Sequence, residues 1–250
     1  MNPSTKTTTL AGLAGLALAS GSLQAATIYS ETFSDGSVAT PTDLNGSTPD
    51  VTIGVNTWSA SEWQENGSTT TIATSTSTTN EDSAFLAFTP TAGNIYTLSA
   101  TMSVPTGGAT TGWVGLGFAE TNTTTGSFFS NNAAPWILYR PDTNVDSFLG
   151  VGATNSADEG NWSVSATFSL VLNTEAAAWT AEWFIDGGSV RGPVAYGTNP
   201  TIGYVGFGRE NGNKSSIDNF SLSDNSVITE PSTTALIGLG GLALILRRRK

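Results

Sequence analysis

The chain has 250 residues, only 12% of them charged, with a formal net charge of −11 and neither cysteine nor histidine. The missing cysteine excludes disulfides and thiol nucleophiles, and the missing histidine excludes Ser-His-Asp triads and histidine-based zinc sites. Between Thr27 and Ile228 four cations face nineteen carboxylates, a body near −15 that would repel a phosphate backbone, so no nucleic-acid partner is expected.

From the N-terminus, Lys6 precedes an apolar run from Leu10 to Ala19 and then the small, polar stretch Ser20-Gly21-Ser22-Leu23-Gln24-Ala25-Ala26. These are the parts of a secretory signal peptide. It is predicted over residues 1–26, with the cut after Ala25 or Ala26.

The body, residues 27–225, reads as β throughout. Strand-forming runs separated by turn residues fall at Ala84–Phe88, Ile95–Val104, Trp113–Ala119, Trp136–Arg140, Phe148–Gly152, Trp162–Leu172, Trp179–Asp186, Tyr204–Gly208 and Ile217–Leu222. No stretch of the body sustains a helical period. In Trp162–Leu172, Val164, Ala166, Phe168, Leu170 and Leu172 share one face, while Ser163, Ser165, Thr167 and Ser169 share the other. That is a strand with one wet side, as in stacked antiparallel sheets. Trp113-Val114-Gly115-Leu116-Gly117-Phe118 echoes Tyr204-Val205-Gly206-Phe207-Gly208, through remote duplication or because both strands need close backbone approach. Ser68–Thr79 holds ten Ser or Thr in twelve residues, as an edge strand, a solvated loop or a site for O-linked sugar.

At the C-terminus, Glu230-Pro231-Ser232 leads through two threonines into the apolar run Ala235 to Leu246 and then Arg247, Arg248, Arg249 and Lys250. Twelve helical residues span about 18 Å, short of a hydrocarbon core near 30 Å. Four terminal cations supply what length does not: they read as a cytoplasmic stop for a short transmembrane helix over this run. An acidic motif with proline, a Gly/Leu-rich helix and a terminal arginine cluster, in that order over residues 229–250, resemble the PEP-CTERM sorting signal of Gram-negative bacteria. The resemblance implies processing near Glu230 and Pro231 by an exosortase-like membrane protease, with the protein released or anchored at the surface. Thr229 stands where that motif has its first proline.

Glu31-Thr32-Phe33-Ser34-Asp35, Trp183-Phe184-Ile185-Asp186-Gly187-Gly188 and Ser216-Ile217-Asp218-Asn219-Phe220-Ser221-Leu222 are similar, in order and spacing, to the concanavalin A-like, laminin-G-like jelly rolls. The expected fold is therefore all-β, a two-sheet antiparallel jelly-roll sandwich whose first and last strands lie side by side. Jelly-roll glucanases carry a Glu-x-Asp-x-x-Glu strand, which this sequence lacks. Glu182 and Asp186 would stand roughly 13 Å apart on one strand, beyond the 5–9.5 Å that glycoside hydrolysis uses, and Glu62 and Glu65 would point to opposite faces. No enzymatic activity is expected.

Two further groups are candidates for binding. Asp142, Asn144 and Asp146 alternate as calcium ligands do at the start of an EF-hand loop, although Ser147 replaces the glycine and Ala153 the closing glutamate; a hairpin turn uses the same residues. Trp63, Trp136 and Trp162 lie near predicted strand or loop ends, where an indole can serve as a platform for a sugar ring or belong to the core. The expected function is a non-enzymatic structural or adhesive role at the cell surface or in the extracellular matrix, with extracellular polysaccharide as a partner. The alternative is a secreted carbohydrate-binding, lectin-like protein.

Overall fold

The computed structural model describes residues 25–67, 69–72, 82–105, 112–124, 134–150, 156–210 and 215–225. The signal peptide, the sorting motif at Glu230 and Pro231, the cations Arg247 to Lys250 and most of the Ser/Thr-rich window lie outside the described residues.

Numbered in chain order, the strands form two seven-stranded sheets and a small third one. The first sheet runs β15 (Gly188–Ala195), β14 (Thr180–Ile185), β13 (Ser165–Asn173), β8 (Ile95–Ser103), β17 (Ser216–Asp224), β1 (Ala26–Glu31), β3 (Val51–Thr52). The second runs β12 (Ser156–Asn161), β11 (Asn144–Phe148), β10 (Trp136–Tyr139), β9 (Trp113–Ala119), β16 (Tyr204–Glu210), β7 (Asp82–Ala87), β4 (Ser59–Ala60). The third joins β2 (Thr42–Asp43), β5 (Trp63–Glu65) and β6 (Thr70–Ile72). Strands β7, β8 and β9 change sheet in turn, and β16 and β17 return beside them, β16 between β7 and β9 and β17 against β8. A ribbon wrapped across two sheets in this way is a jelly roll. First and last strands pair antiparallel, Ala26 opposite Asp224 and Glu31 opposite Phe220.

Alternation builds the core. Tyr96, Leu98, Ala100 and Met102 of β8 and Ala166, Phe168, Leu170 and Leu172 of β13 point inward, against Val114, Leu116 and Phe118 of β9 and Val205 and Phe207 of β16. Burying each large side chain is worth about 1.5–3 kcal/mol relative to exposure. At one end Phe33, Trp58, Trp63 and Phe220 pack around Phe207, with ring centroids 4.8–5.9 Å apart in four T-shaped and tilted pairs. The turn between β14 and β15 is Asp186-Gly187, both with positive φ (49° and 79°), the left-handed pair that a two-residue hairpin of matching twist requires.

Two expectations are corrected here. The strand expected at Phe148–Gly152 lies instead at Asn144–Phe148, because the chain leaves β10 by a tight turn in which Thr143 has φ 71° and Arg140 N–H bonds the Asn144 carbonyl. Val164, expected inside, is 42% exposed, since β13 begins one residue later.

Candidate functional site

The outer face of the second sheet is where the sequence echo acquires a meaning. On β9 the odd positions Trp113, Gly115, Gly117 and Ala119 face away from the core, and on β16 Tyr204, Gly206 and Gly208 do. The two echoing segments are neighbours, with Gly206 opposite Gly117 and Gly208 opposite Gly115. A lane of glycine backbone results, flanked by large side chains that lean over it. A Cβ on Gly117 would sit 2.5 Å from Trp136 Cβ; one on Gly206 would sit 2.0 Å from the Ala84 carbonyl oxygen and 3.0 Å from the Phe85 ring. Close approach is thus the reason for the glycines.

Phe85, Trp113, Ala119, Trp136 and Leu138 form a second apolar cluster on this face, with Phe148 and Tyr204 packed half-buried against it. Trp136 and Phe148 stack with centroids 3.8 Å apart and planes 9° from parallel; Trp113 lies 6.0 Å from Trp136, and Phe85 lies 6.3 Å from Tyr204. Tyr204 stands at the start of β16, at one end of the lane, and Phe148 lies on β11 beyond Trp136, both of them half-buried. Beyond Leu138 a polar group continues the face. Arg140 Nη1 pairs with Asp146 and donates to Asn144 Oδ1 at 2.9 Å, while Asn144 Nδ2 donates to Asp158 Oδ1 at 2.9 Å. The Gly160 N–H and the Asn144 amide hold the exposed Asp158 below the usual carboxylate range. Apolar rings beside fixed polar forks suit a sugar, whose ring presents C–H on its faces and hydroxyls at its rim.

The structure sorts the expected residues. Trp136, Asn144 and Asp146 come together on this face. Asp142 turns back on its own hairpin, accepting from Asn144 N–H at 3.1 Å. At the calcium candidate Asp142, Asn144 and Asp146, the Arg140 guanidinium pairs with Asp146 and donates to Asn144, so a cation bound there would face its repulsion. Among the described residues no group of three or more acidic ligands is arranged for a metal. Trp63 is 0% exposed and T-shaped against Phe207, a core position that leaves its ring no accessible face in this structure. Trp162 is half-buried against the core, its indole N–H donating to the Glu159 carbonyl. Glu182 accepts from Ser189 Oγ at 2.7 Å and Asp186 accepts from Thr167 N–H at 2.9 Å, both in turn-fixing roles.

A polar corner escaped the sequence reading. Glu31 and Glu65 are 3% and 2% exposed, although they lie far apart in the chain. Glu31 accepts from Phe33 N–H at 2.9 Å and Trp58 Nε1–H at 3.4 Å; Glu65 accepts from Asp35 N–H at 3.3 Å. Burial above all, then the charges of Asp50 and Glu65, push Glu31 up to about 7 against the lowering pull of the Phe33 N–H. Glu65 is raised by burial and by Asp35 and Asp50. The described arginines are occupied elsewhere: Arg140 with Asp146, Arg191 donating to the Ser147 carbonyl, and Arg209 in a buried 2.8 Å pair with Asp82. Nothing in the sequence marks the corner, because its members meet only through the fold.

With this geometry in place, comparison with known proteins adds the other end of the chain. Residues 227–250 match the family model of the PEP-CTERM protein-sorting motif. The C-terminus carries a PEP-CTERM sorting motif. No curated protein sequence matches the chain. Among solved structures, the carbohydrate recognition domain of Emp46p in its potassium-bound form is similar at 13% identity, over 69% of this chain and 89% of that one, with a TM-score of 0.47. An endo-1,3-beta-glucanase from Streptomyces sioyaensis is similar at 13% identity, over 84% and 99%, with a TM-score of 0.49. The metal-free exoplasmic/lumenal domain of VIP36 is similar at 9% identity, over 76% and 92%, with a TM-score of 0.47.

Proposed function

We propose that this is an exported, surface-associated protein whose tail is handled by an exosortase-like membrane protease and whose jelly-roll body has a non-enzymatic, adhesive or structural role. The sorting motif at residues 227–250 carries the reading. Physically, the short apolar run Ala235 to Leu246 gains limited insertion energy, and the four cations that follow oppose passage and are drawn to anionic lipid at roughly 1 kcal/mol each. Export then pauses with the body outside and Glu230-Pro231 near the outer interface. Replacing Arg247 to Lys250 with serine should reduce the membrane-bound intermediate, whereas changing Glu230 and Pro231 to alanine should leave insertion intact and block maturation. Cell fractionation with intact-mass analysis reads both; wild-type processing and surface yield in the two variants would refute the reading.

A second reading, carbohydrate binding, is favoured by one observation: the half-buried Phe148 and Tyr204 on the outer face of the second sheet, with the Arg140–Asp146 pair and Asn144 on the same face. A glycan array probed with wild type and with Phe148→Ala/Tyr204→Ala tests it; a lectin should lose its signal in the double variant.

A further inference from the structure

The outer face of the first sheet has a different composition from the rest of this acidic body. Its three central strands, β17, β8 and β13, align in four outward rows: Ser216–Ser103–Ser165, Asp218–Thr101–Thr167, Ser221–Ser99–Ser169 and Ser223–Thr97–Val171. Ten of these twelve positions are serine or threonine and one is charged, on a body with nineteen carboxylates. All twelve are half-buried or exposed. Ser30 of β1 extends the third row beyond Ser221. Rows of this kind repeat about 4.8 Å across strands and about 6.7 Å along them.

The hydroxyls are held in place. Ser103 Oγ donates to Ser165 Oγ at 2.7 Å, Ser169 Oγ to Ser99 Oγ at 3.1 Å, and Thr101 and Thr167 share a 3.4 Å contact. Each bonded pair still has one O–H to donate and lone pairs to accept, so the face offers both in every direction. Short side chains lose little rotamer freedom on contact. A face without cations gives an anionic polymer nothing to pair with, and the surrounding carboxylates repel it. A cationic partner would favour those surroundings over this one nearly neutral patch. What complements it is an uncharged surface that itself both donates and accepts hydrogen bonds.

We propose that the outer face of β17, β8 and β13 is a docking surface for neutral, hydroxyl-rich polysaccharide, lying flat across the serine and threonine rows. The inference rests on the adhesive reading above and gives it a surface distinct from the aromatic lane of the other sheet. Contact is made by many weak hydrogen bonds in register, so it favours an extended, insoluble chain over a free oligosaccharide.

The test uses the full chain in detergent, with retention measured on microcrystalline cellulose, curdlan, an insoluble polygalacturonate and ice. Wild type should be retained on one or both neutral glucans and not on polygalacturonate. Ser99→Glu/Thr101→Glu/Thr167→Glu should lower retention by about tenfold or more, and Thr97→Val/Thr101→Val/Thr167→Val, which preserves shape and strand propensity, should lower it by about tenfold. Ser99→Thr should retain wild-type behaviour. Unchanged retention in the valine variant, loss on Phe148→Ala/Tyr204→Ala instead, or binding to ice without binding to glucan would each overturn the proposal. Surface fractionation of the valine variant separates the two readings: a chain that is displayed normally but no longer holds glucan concerns this face alone.

Discussion

The two sheets share one core and differ outward. Across the first, Ser221, Ser99 and Ser169 stand side by side without crowding their neighbours. Across the second, Trp136 is opposite Gly117, and Gly206 is opposite Phe85. Small outward hydroxyls place no demand on the adjacent strand, whereas a large ring that lies over the adjacent strand requires glycine there. The contrast explains why the glycine-rich echo occurs twice, on adjacent strands, and why the serine-rich strands need no such partner.

The largest expected effect tests that explanation directly. Gly206→Val places a side chain on the Ala84 carbonyl and the Phe85 ring and should lose about 3 kcal/mol, a fall in Tm of roughly 6–12 °C. Ser169→Val on the other sheet should stay within about 0.5 kcal/mol of wild type. Equal melting temperatures for the two variants would break the comparison.

A pH titration extends the contrast to the buried corner, which belongs to neither face. Because Glu31 titrates near 7 in the fold and near 4.5 when unfolded, the folded chain binds its proton more tightly. Stability should be full below about pH 4.5 and fall as pH rises toward 7, by about 2–3 kcal/mol, before levelling off. Urea midpoints measured from pH 4.5 to 8 should show this slope in wild type, and Glu31→Gln should flatten most of it. A flat wild-type profile would mean that the corner holds no proton.

Smaller again is the effect of Phe148→Ala, which removes a stacked ring from Trp136. The stack itself is worth about 0.5–1.5 kcal/mol beyond area burial, and uncovering Trp136 should shift tryptophan emission to the red. No emission shift would mean that the ring does not shield Trp136. The smallest effect concerns calcium at the Asp142–Asp146 hairpin. With Arg140 in place, chelator should leave the melting temperature unchanged in wild type and in Asp142→Ala alike. A chelator-dependent drop that Asp142→Ala abolishes would instead assign calcium to the hairpin.

Particular residues show what could be read in advance. The alternation of Ala166, Phe168, Leu170 and Leu172 with Ser165, Thr167 and Ser169 gave both the sandwich and its wet side, because a period of two has one structural meaning. Strand β12, Ser-Ala-Asp-Glu-Gly-Asn, carries no such signal; it is an edge strand held by pairing to β11 and not by apolar burial. Trp63 and Trp136 look alike in sequence, yet one is enclosed by Phe207 in the core and the other lies on the outer face with Phe148 stacked on it.

By itself the sequence determined the local and the terminal features: the β character of the body, the wet side of β13, and the order of motif, apolar run and cations at the tail. Each is written in neighbouring residues, within reach of one strand or one short segment. Only the tertiary structure decided which strands became neighbours. It placed Gly117 beside Gly206, spread the serines of β8, β13 and β17 into a single face, set Arg140 against the expected calcium ligands, and enclosed Glu31 with Glu65. The physical reason is that packing and electrostatics act through space, between groups that the chain brings together only when the core closes.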